Sequence, residues 1–189
     1  MAQFSISRAY LLDLLKAIKT VPVSPIMEAS KQVRLTVTKD GTISATATDA
    51  EQVIYCTSRA GQADVVKTGS LDMQRATLLE VIKSMSSETI SFQIVSDAHV
   101  QIKADRSEFK LLYRRDDYFD GIKSRIDAEC GKNAQTIQFE TSDLTRFVHG
   151  VSVCVATDDS RYGLNGAYLH TLDHEGTPVI RMVSTDGHR

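Results

Sequence analysis

The 189-residue chain has no tryptophan, three prolines, three cysteines and a formal charge of only −2. Each scarcity excludes something. Near-neutral charge removes bulk basicity as an argument for nucleic-acid binding, while leaving room for a locally basic face. Cys56, Cys130 and Cys154 are odd in number and form no Cys-x-x-Cys pair, so they read as reduced thiols of a cytoplasmic protein. The longest apolar runs, such as Ile54-Tyr55-Cys56 and Leu14-Leu15, fall far short of the roughly 20 residues of a membrane span. Met1 to Ser5 carries no basic segment and no apolar run behind it, so no signal peptide is expected. With 42% hydrophobic and 24% charged residues, neither a disordered tail nor a collagen fits. At about 150 residues per domain, the length lies between one domain and two.

Periodicity supplies the elements. Phe4 and Ile6 alternate as a strand, and Ser7 is placed to cap a helix whose Leu11, Leu14, Leu15 and Ile18 form one apolar stripe. Pro22 and Pro25 end it. Val33, Leu35 and Val37 alternate with Arg34 and Thr36. Asp40-Gly41 then signals a hairpin into Ile43, Ala45 and Ala47, closing on Thr48-Asp49. Strands are predicted at 53–56 and 65–67. Ser70 or Asp72 is expected to open a second helix with Leu78, Leu79, Ile82 and Met85 inward. Further strands are expected around Ile90–Ile94, Val100–Ile102 and Phe109–Leu111. Residues 120–135 are polar and lack a period, which reads as a linker.

After the linker the plan restarts. Ile137 and Phe139 alternate, Thr141 or Ser142 caps a helix with Leu144, Phe147, Val148 and Val151, and a hairpin closes on Thr185-Asp186. Phe4 to Asp49 spans 45 residues, and Phe139 to Asp186 spans 47. A repeat of that length means tandem copies of one domain. The expected organisation is an α+β chain: a complete domain at 1–120, a linker at 121–135, and the opening of a second copy at 136–189.

Motifs for chemistry are sparse. No phosphate-cradling P-loop, dinucleotide fingerprint or nucleophile elbow is present. His170 and His174 flank a turn in a strand-rich stretch, where an i, i+4 spacing makes no helical metal site. The pairs Asp116-Asp117 and Asp158-Asp159 point to opposite sides if extended and read as surface turns. Asp186-Gly187-His188-Arg189 holds a carboxylate and an imidazole but lacks the nucleophile or metal set of a hydrolase. No metal and no cofactor is expected.

Charge is segregated. The three predicted helices hold Arg8, Lys16, Lys19, Arg75, Lys83 and Arg146 against Asp13, Glu80 and Asp143, leaving the remainder acidic. Two readings stand: ordinary solvated helix faces, or helices that face a polyanion and touch phosphates without reading bases. Without interleaved aromatics on them, single-strand stacking is not indicated.

Three strings go further: Ala47-Thr48-Asp49-Ala50-Glu51, Ser160-Arg161-Tyr162-Gly163-Leu164-Asn165-Gly166 and Ser184-Thr185-Asp186-Gly187-His188-Arg189. In this order and spacing they resemble the bacterial DNA polymerase III beta subunits, the sliding clamps. The Phe4-x-Ile6 opening and the Arg106-Ser107-x-Phe109-x-Leu111 strand support the resemblance. It implies a DNA-clamp fold, with two helices packed on antiparallel sheets per domain. Family members carry three such domains, so this chain is expected to cover an N-terminal portion that neither closes a ring nor completes the peptide cleft.

The resemblance also implies a non-catalytic function. Two subunits close as a homodimer ring around double-stranded DNA, with basic helices inside and no sequence preference. They tether the polymerase III alpha subunit, the clamp loader and other proteins with a clamp-binding motif. By the resemblance, Leu164, Thr185, Gly187, His188 and Arg189 belong to the partner-peptide cleft. Arg161 and Tyr162 lie beside it near the DNA path, joining the six basic helix residues. Phe109 and Leu111 fall on the strand that pairs across the subunit interface. The run Val23 to Ser30 departs from the family's Thr-Leu-Pro-Ile-Leu-like stretch and places Glu28 where a phosphate would be opposed, so no DNA contact is assigned there. Asp116 to Asp120 lacks the family's proline. Rival readings are a small hydrolase built on Asp186 and His188, and an interaction module without DNA.

Overall fold

The computed structural model describes residues 2–50, 52–115, 117–122, 124, 128, 137–158 and 163–189. The chain divides into two compact units, Met1–Cys130 and Gly131–Arg189.

In the first unit, β1 (Gln3–Ser7) leads into α1 (Arg8–Ile18). After a 3-10 turn (Glu28–Lys31) come β2 (Gln32–Val37), β3 (Ile43–Thr48), β4 (Val53–Thr57), β5 (Ala63–Lys67) and β6 (Gly69–Gln74). Helix α2 (Arg75–Ser84) precedes β7 (Thr89–Ser96), β8 (His99–Ala104) and β9 (Ser107–Leu112), and a 3-10 turn, Asp117–Phe119, follows. The strands form two antiparallel sheets, ordered β5-β1-β7-β8-β9 and β4-β3-β2-β6.

One core joins both sheets and both helices. Leu11, Leu14, Leu15 and Ile18 are all buried, as their spacing predicts. Phe4 and Phe92 sit opposite each other in register, with rings stacked at 4.9 Å. The Asp-Gly hairpin forms as expected: Gly41 takes φ +77°, and a Cβ there would meet the Ala63 carbonyl oxygen at 2.7 Å. Asp40 braces that turn by accepting from the Thr38 and Thr42 hydroxyls, and these bonds hold its carboxyl below the ordinary range.

Several expectations are corrected. Residues 69–74 are strand rather than helix, because every one of them finds a cross-strand partner on β2. Neither Ser70 nor Asp72 therefore opens α2, which starts at Arg75 behind Gln74. On α2 the buried set is Leu78, Val81 and Ile82, with Met85 just beyond, while Leu79 is only half-buried. Ser7 stands before α1, yet its hydroxyl makes no capping bond; the Arg8 N–H instead donates to the Glu88 carbonyl at 2.7 Å.

Arg34, expected on the polar face of β2, is buried. A second small cluster of Ala29, Phe119 and Ile122 lies on the far side of the sheet, where the Glu28–Lys31 turn packs on β2 and β3. The stretch expected as linker thus begins with Ile122 anchored in the first unit.

The second unit contains α3 (Thr141–Ser152) and the hairpin of β10 (Tyr168–His174) and β11 (Thr177–Val183). Residues 137–140 form no strand, correcting the reading of Ile137 and Phe139; Phe139 instead meets Phe147 edge-on at 6.0 Å. Thr141 and Ser142 lie inside α3, and Glu140 occupies the cap position. Ser184 donates to the Val151 carbonyl at 2.5 Å, tying the hairpin to the helix.

Candidate nucleic-acid interface and partner surface

Helices α1 and α2 hold each other by their ends. Arg8, first residue of α1, donates from Nε to the Ile82 carbonyl and from a terminal nitrogen to the Lys83 carbonyl, both at 3.0 Å. Arg75, first residue of α2, donates to the Val21 carbonyl at 2.8 Å and the Ile18 carbonyl at 3.4 Å. The two helices therefore run antiparallel. Each arginine satisfies carbonyls at the C-terminal end of the other helix, where the partial charge is negative and unpaired acceptors remain. Burial pulls the Arg75 pKa below the ordinary guanidinium value, with Asp49 acting against that shift.

This geometry divides the basic residues. Arg8 and Arg75 are engaged by backbone. Lys16, Lys83 and Arg146 each pair with an acid one turn earlier: Asp13 at 3.1 Å, Glu80 at 3.5 Å and Asp143 at 3.2 Å. These pairs are exposed and worth at most about 1 kcal/mol, so a phosphate can displace the acid readily. Lys19 caps α1 at an exposed position. Lys16, Lys19 and Lys83 are thus the first unit's available cations on the two helices.

Asp186 organises the 185–189 loop. It accepts from the His188 N–H at 2.9 Å, the Arg189 N–H at 3.1 Å and the Arg189 Nε at 3.0 Å. The His188 and Arg189 bonds hold its carboxyl below the usual range. Thr185 receives the Gly187 N–H at 3.0 Å and donates to the Arg189 carbonyl at 2.7 Å. Thr185, Gly187, His188 and Arg189 are thereby brought into one exposed loop. Leu164 lies half-buried in a separate turn, its carbonyl accepting the Ala156 N–H at 3.0 Å.

A model of the DNA polymerase III beta subunit N-terminal domain matches residues 2–119. The chain belongs to the DNA polymerase III beta subunit family. Similar curated proteins include the beta sliding clamp of Caulobacter vibrioides (strain NA1000 / CB15N), 30% identical over 137 residues, covering 68% of this chain and 34% of the relative. The beta sliding clamp of Haemophilus influenzae is 26% identical over 191 residues, covering 99% of this chain and 48% of the relative. Among solved structures, the Streptococcus pneumoniae DNA polymerase III beta chain superposes with a TM-score of 0.77 at 19% identity, over all of this chain and 48% of that one. The Caulobacter crescentus pol III beta structure gives 0.76 at 24%, over 98% and 48%. These likenesses establish the DNA-clamp fold. The chain spans between a third and a half of the length of these relatives.

Within this beta-subunit fold, β9 is the edge of the five-stranded sheet. Phe109 and Leu111, the residues that the resemblance places at a subunit interface, are half-buried on it and pack on the core, while Leu112 is 64% exposed. Arg161 and Tyr162 lie outside the described residues, as do Cys130, Asp116 and Asp159. His170 and His174 both lie on β10, and the described residues hold no cluster of metal-ligating side chains. No helix among them is long and apolar enough to cross a membrane.

One group escaped sequence reasoning: Arg34, held by Asp72 and Asp120 with Phe119 beneath its guanidinium at 5.2 Å. Only recognition of β6 as a strand opposite β2 could have revealed it.

Proposed function

We propose that this chain supplies the DNA-facing first domain, and part of a second, of a bacterial beta sliding clamp. In this reading the domains are 1–120 and 136–189 joined by 121–135. The clamp encircles duplex DNA as a ring dimer in the cytoplasm and tethers the polymerase III alpha subunit, the clamp loader and other motif-bearing proteins. It works by topology, raising the effective concentration of what it tethers, and performs no catalysis. The observation that carries the reading is the match of residues 2–119 to the family's N-terminal domain, on a unit whose antiparallel helices present Lys16, Lys19 and Lys83. A diffuse, weakly paired cationic surface attracts phosphates without arresting sliding.

In the same reading Leu164 and the 185–189 loop form one wall of the partner-peptide cleft, Arg161, Tyr162 and Arg146 line the DNA path, and β9 pairs at the dimer interface. The hydrolase alternative is disfavoured because Asp186 directs its oxygens at the loop's own N–H groups rather than at a His188 ring nitrogen.

The test is a chimera in which these 189 residues replace the corresponding half of the Haemophilus influenzae clamp. Loaded on a nicked circular duplex, it should be retained on the circle and released on linearisation. Equal retention on both forms would refute clamping.

A further inference from the structure

Past β9, the chain is held to the four-stranded sheet in two ways. Arg114 exchanges backbone hydrogen bonds with Asp72 of β6, at 2.9 and 3.2 Å. Residues 117–122 are held by side chains. Phe119 and Ile122 form a small buried cluster with Ala29, separate from the main core, and Met27 and Tyr118 pack against it. Asp120 adds a polar tie by accepting from Arg34, yet its side chain is 41% exposed, whereas that of Asp72 is 1% exposed. Phe119 lies under the same guanidinium. The Asp120 N–H donates to the Asp117 carbonyl, within the turn itself.

These ties can break together without stranding a buried charge. Arg34 keeps both of its bonds to Asp72, and the Asp120 carboxylate passes from a partly exposed position into water. The main core loses nothing, because no residue of 117–122 belongs to it. Local openings of this kind require less free energy than global unfolding. We infer that residues 117–122 form a strap that leaves and rejoins the four-stranded sheet while the rest of the first unit stays folded. With the strap docked, the chain departs from the unit at Ile122. With it released, departure is at Arg114, and the connection towards the second unit gains about 25 Å of extended chain. The motion belongs to the first unit and requires neither DNA nor a partner.

The experiment is thiol labelling of the whole 189-residue chain, its three cysteines changed to alanine. It carries either Ile122→Cys in the strap or Val33→Cys in the main core, both at buried positions. With an aromatic disulfide reagent, the Ile122→Cys thiol should react at least about a hundredfold faster than the Val33→Cys thiol. Dilute urea should accelerate only the second, because global unfolding exposes far more surface than release of the strap. Adding Phe119→Ser and Asp120→Ser should bring the Ile122→Cys thiol to the rate of an unstructured thiol, while the Val33→Cys thiol stays protected. Equal rates with a shared urea dependence would overturn the inference. So would loss of protection at both thiols when Phe119→Ser and Asp120→Ser are added.

Discussion

Arg34 on β2 and Asp72 on β6 face each other in register and are joined by two hydrogen bonds, Nε to Oδ1 at 2.6 Å and a terminal nitrogen to Oδ2 at 2.7 Å. Both side chains are buried. The remaining terminal nitrogen donates to Asp120, which also pairs with Arg115 at 3.5 Å. Burial opposes the Arg34 charge, but the hydrogen bonds and attraction from Asp72 and Asp120 outweigh it and raise its pKa above the ordinary value. The planar fork matches a carboxylate in a way an ammonium cannot. This arrangement fastens the chain at 119–122 to the four-stranded sheet.

Arg34→Met strands the Asp72 carboxylate in a buried site. Urea unfolding should show a loss of about 3–5 kcal/mol. Arg34→Lys should recover only part of it, since one ammonium cannot reproduce the fork. A loss no larger than that of an exposed arginine would refute the buried role.

Acid should loosen the same anchor. The Arg34 hydrogen bond is the main influence holding the Asp120 carboxyl below its ordinary value, with Arg34 and Arg115 attraction adding to it. Its stabilisation is therefore present above the unfolded carboxylate pKa of about 4 and is lost as pH falls through the lower folded value. Asp120→Asn should lower Tm near neutral pH and flatten the acid limb of Tm against pH. An unchanged acid limb would contradict this. Asp40, lowered by its turn bonds, supplies a separate part of that limb.

Arg8→Gln and Arg75→Gln each leave helix-end carbonyls without their charged donor. Each should cost about 1.5–3 kcal/mol in thermal or urea unfolding. Because the two arginines link the same pair of helices, the double variant should depart from additivity. Full additivity would mean that the two ends are held independently.

Asp186→Ala removes the acceptor for two backbone N–H groups and should open the 185–189 loop. Peptides carrying a clamp-binding motif should then bind more weakly to the chimeric clamp, as they should with His188→Ala. In the proposed function neither variant should change any turnover. Loss of a hydrolytic activity on His188→Ala, with peptide affinity intact, would instead favour the hydrolase reading.

Sequence spacing revealed most of the fold because its signals are local. The Leu11 to Ile18 stripe, the Asp40-Gly41 hairpin and the alternating Ile90, Phe92 and Ile94 each depend on a few neighbouring residues. What stayed hidden depends on partners far along the chain. Strand β6 looked like a helix start because serine and aspartate suit caps; its pairing with β2, more than thirty residues earlier, decides otherwise. The burial of Arg34 requires Phe119 and Asp120 to return over the sheet. Likewise, Arg8 and Arg75 are indistinguishable in sequence from DNA-facing residues until the antiparallel helices bring them to each other's carbonyls. Family resemblance, rather than periodicity, singled out Leu164 and the 185–189 loop.

In the proposed function α1 and α2 offer duplex phosphates a sequence-indifferent surface made by lysines, with arginines holding the helices in place. The most direct measurement is the salt dependence of duplex binding by the chain, on two unrelated sequences. Lys16→Gln, Lys19→Gln and Lys83→Gln should each reduce the slope of log K against log salt by about 0.9, equally on both duplexes. Arg8→Gln and Arg75→Gln, measured where they remain folded, should leave it unchanged. A slope that ignores the lysines, or follows the DNA sequence, would contradict a sequence-indifferent surface made by these lysines.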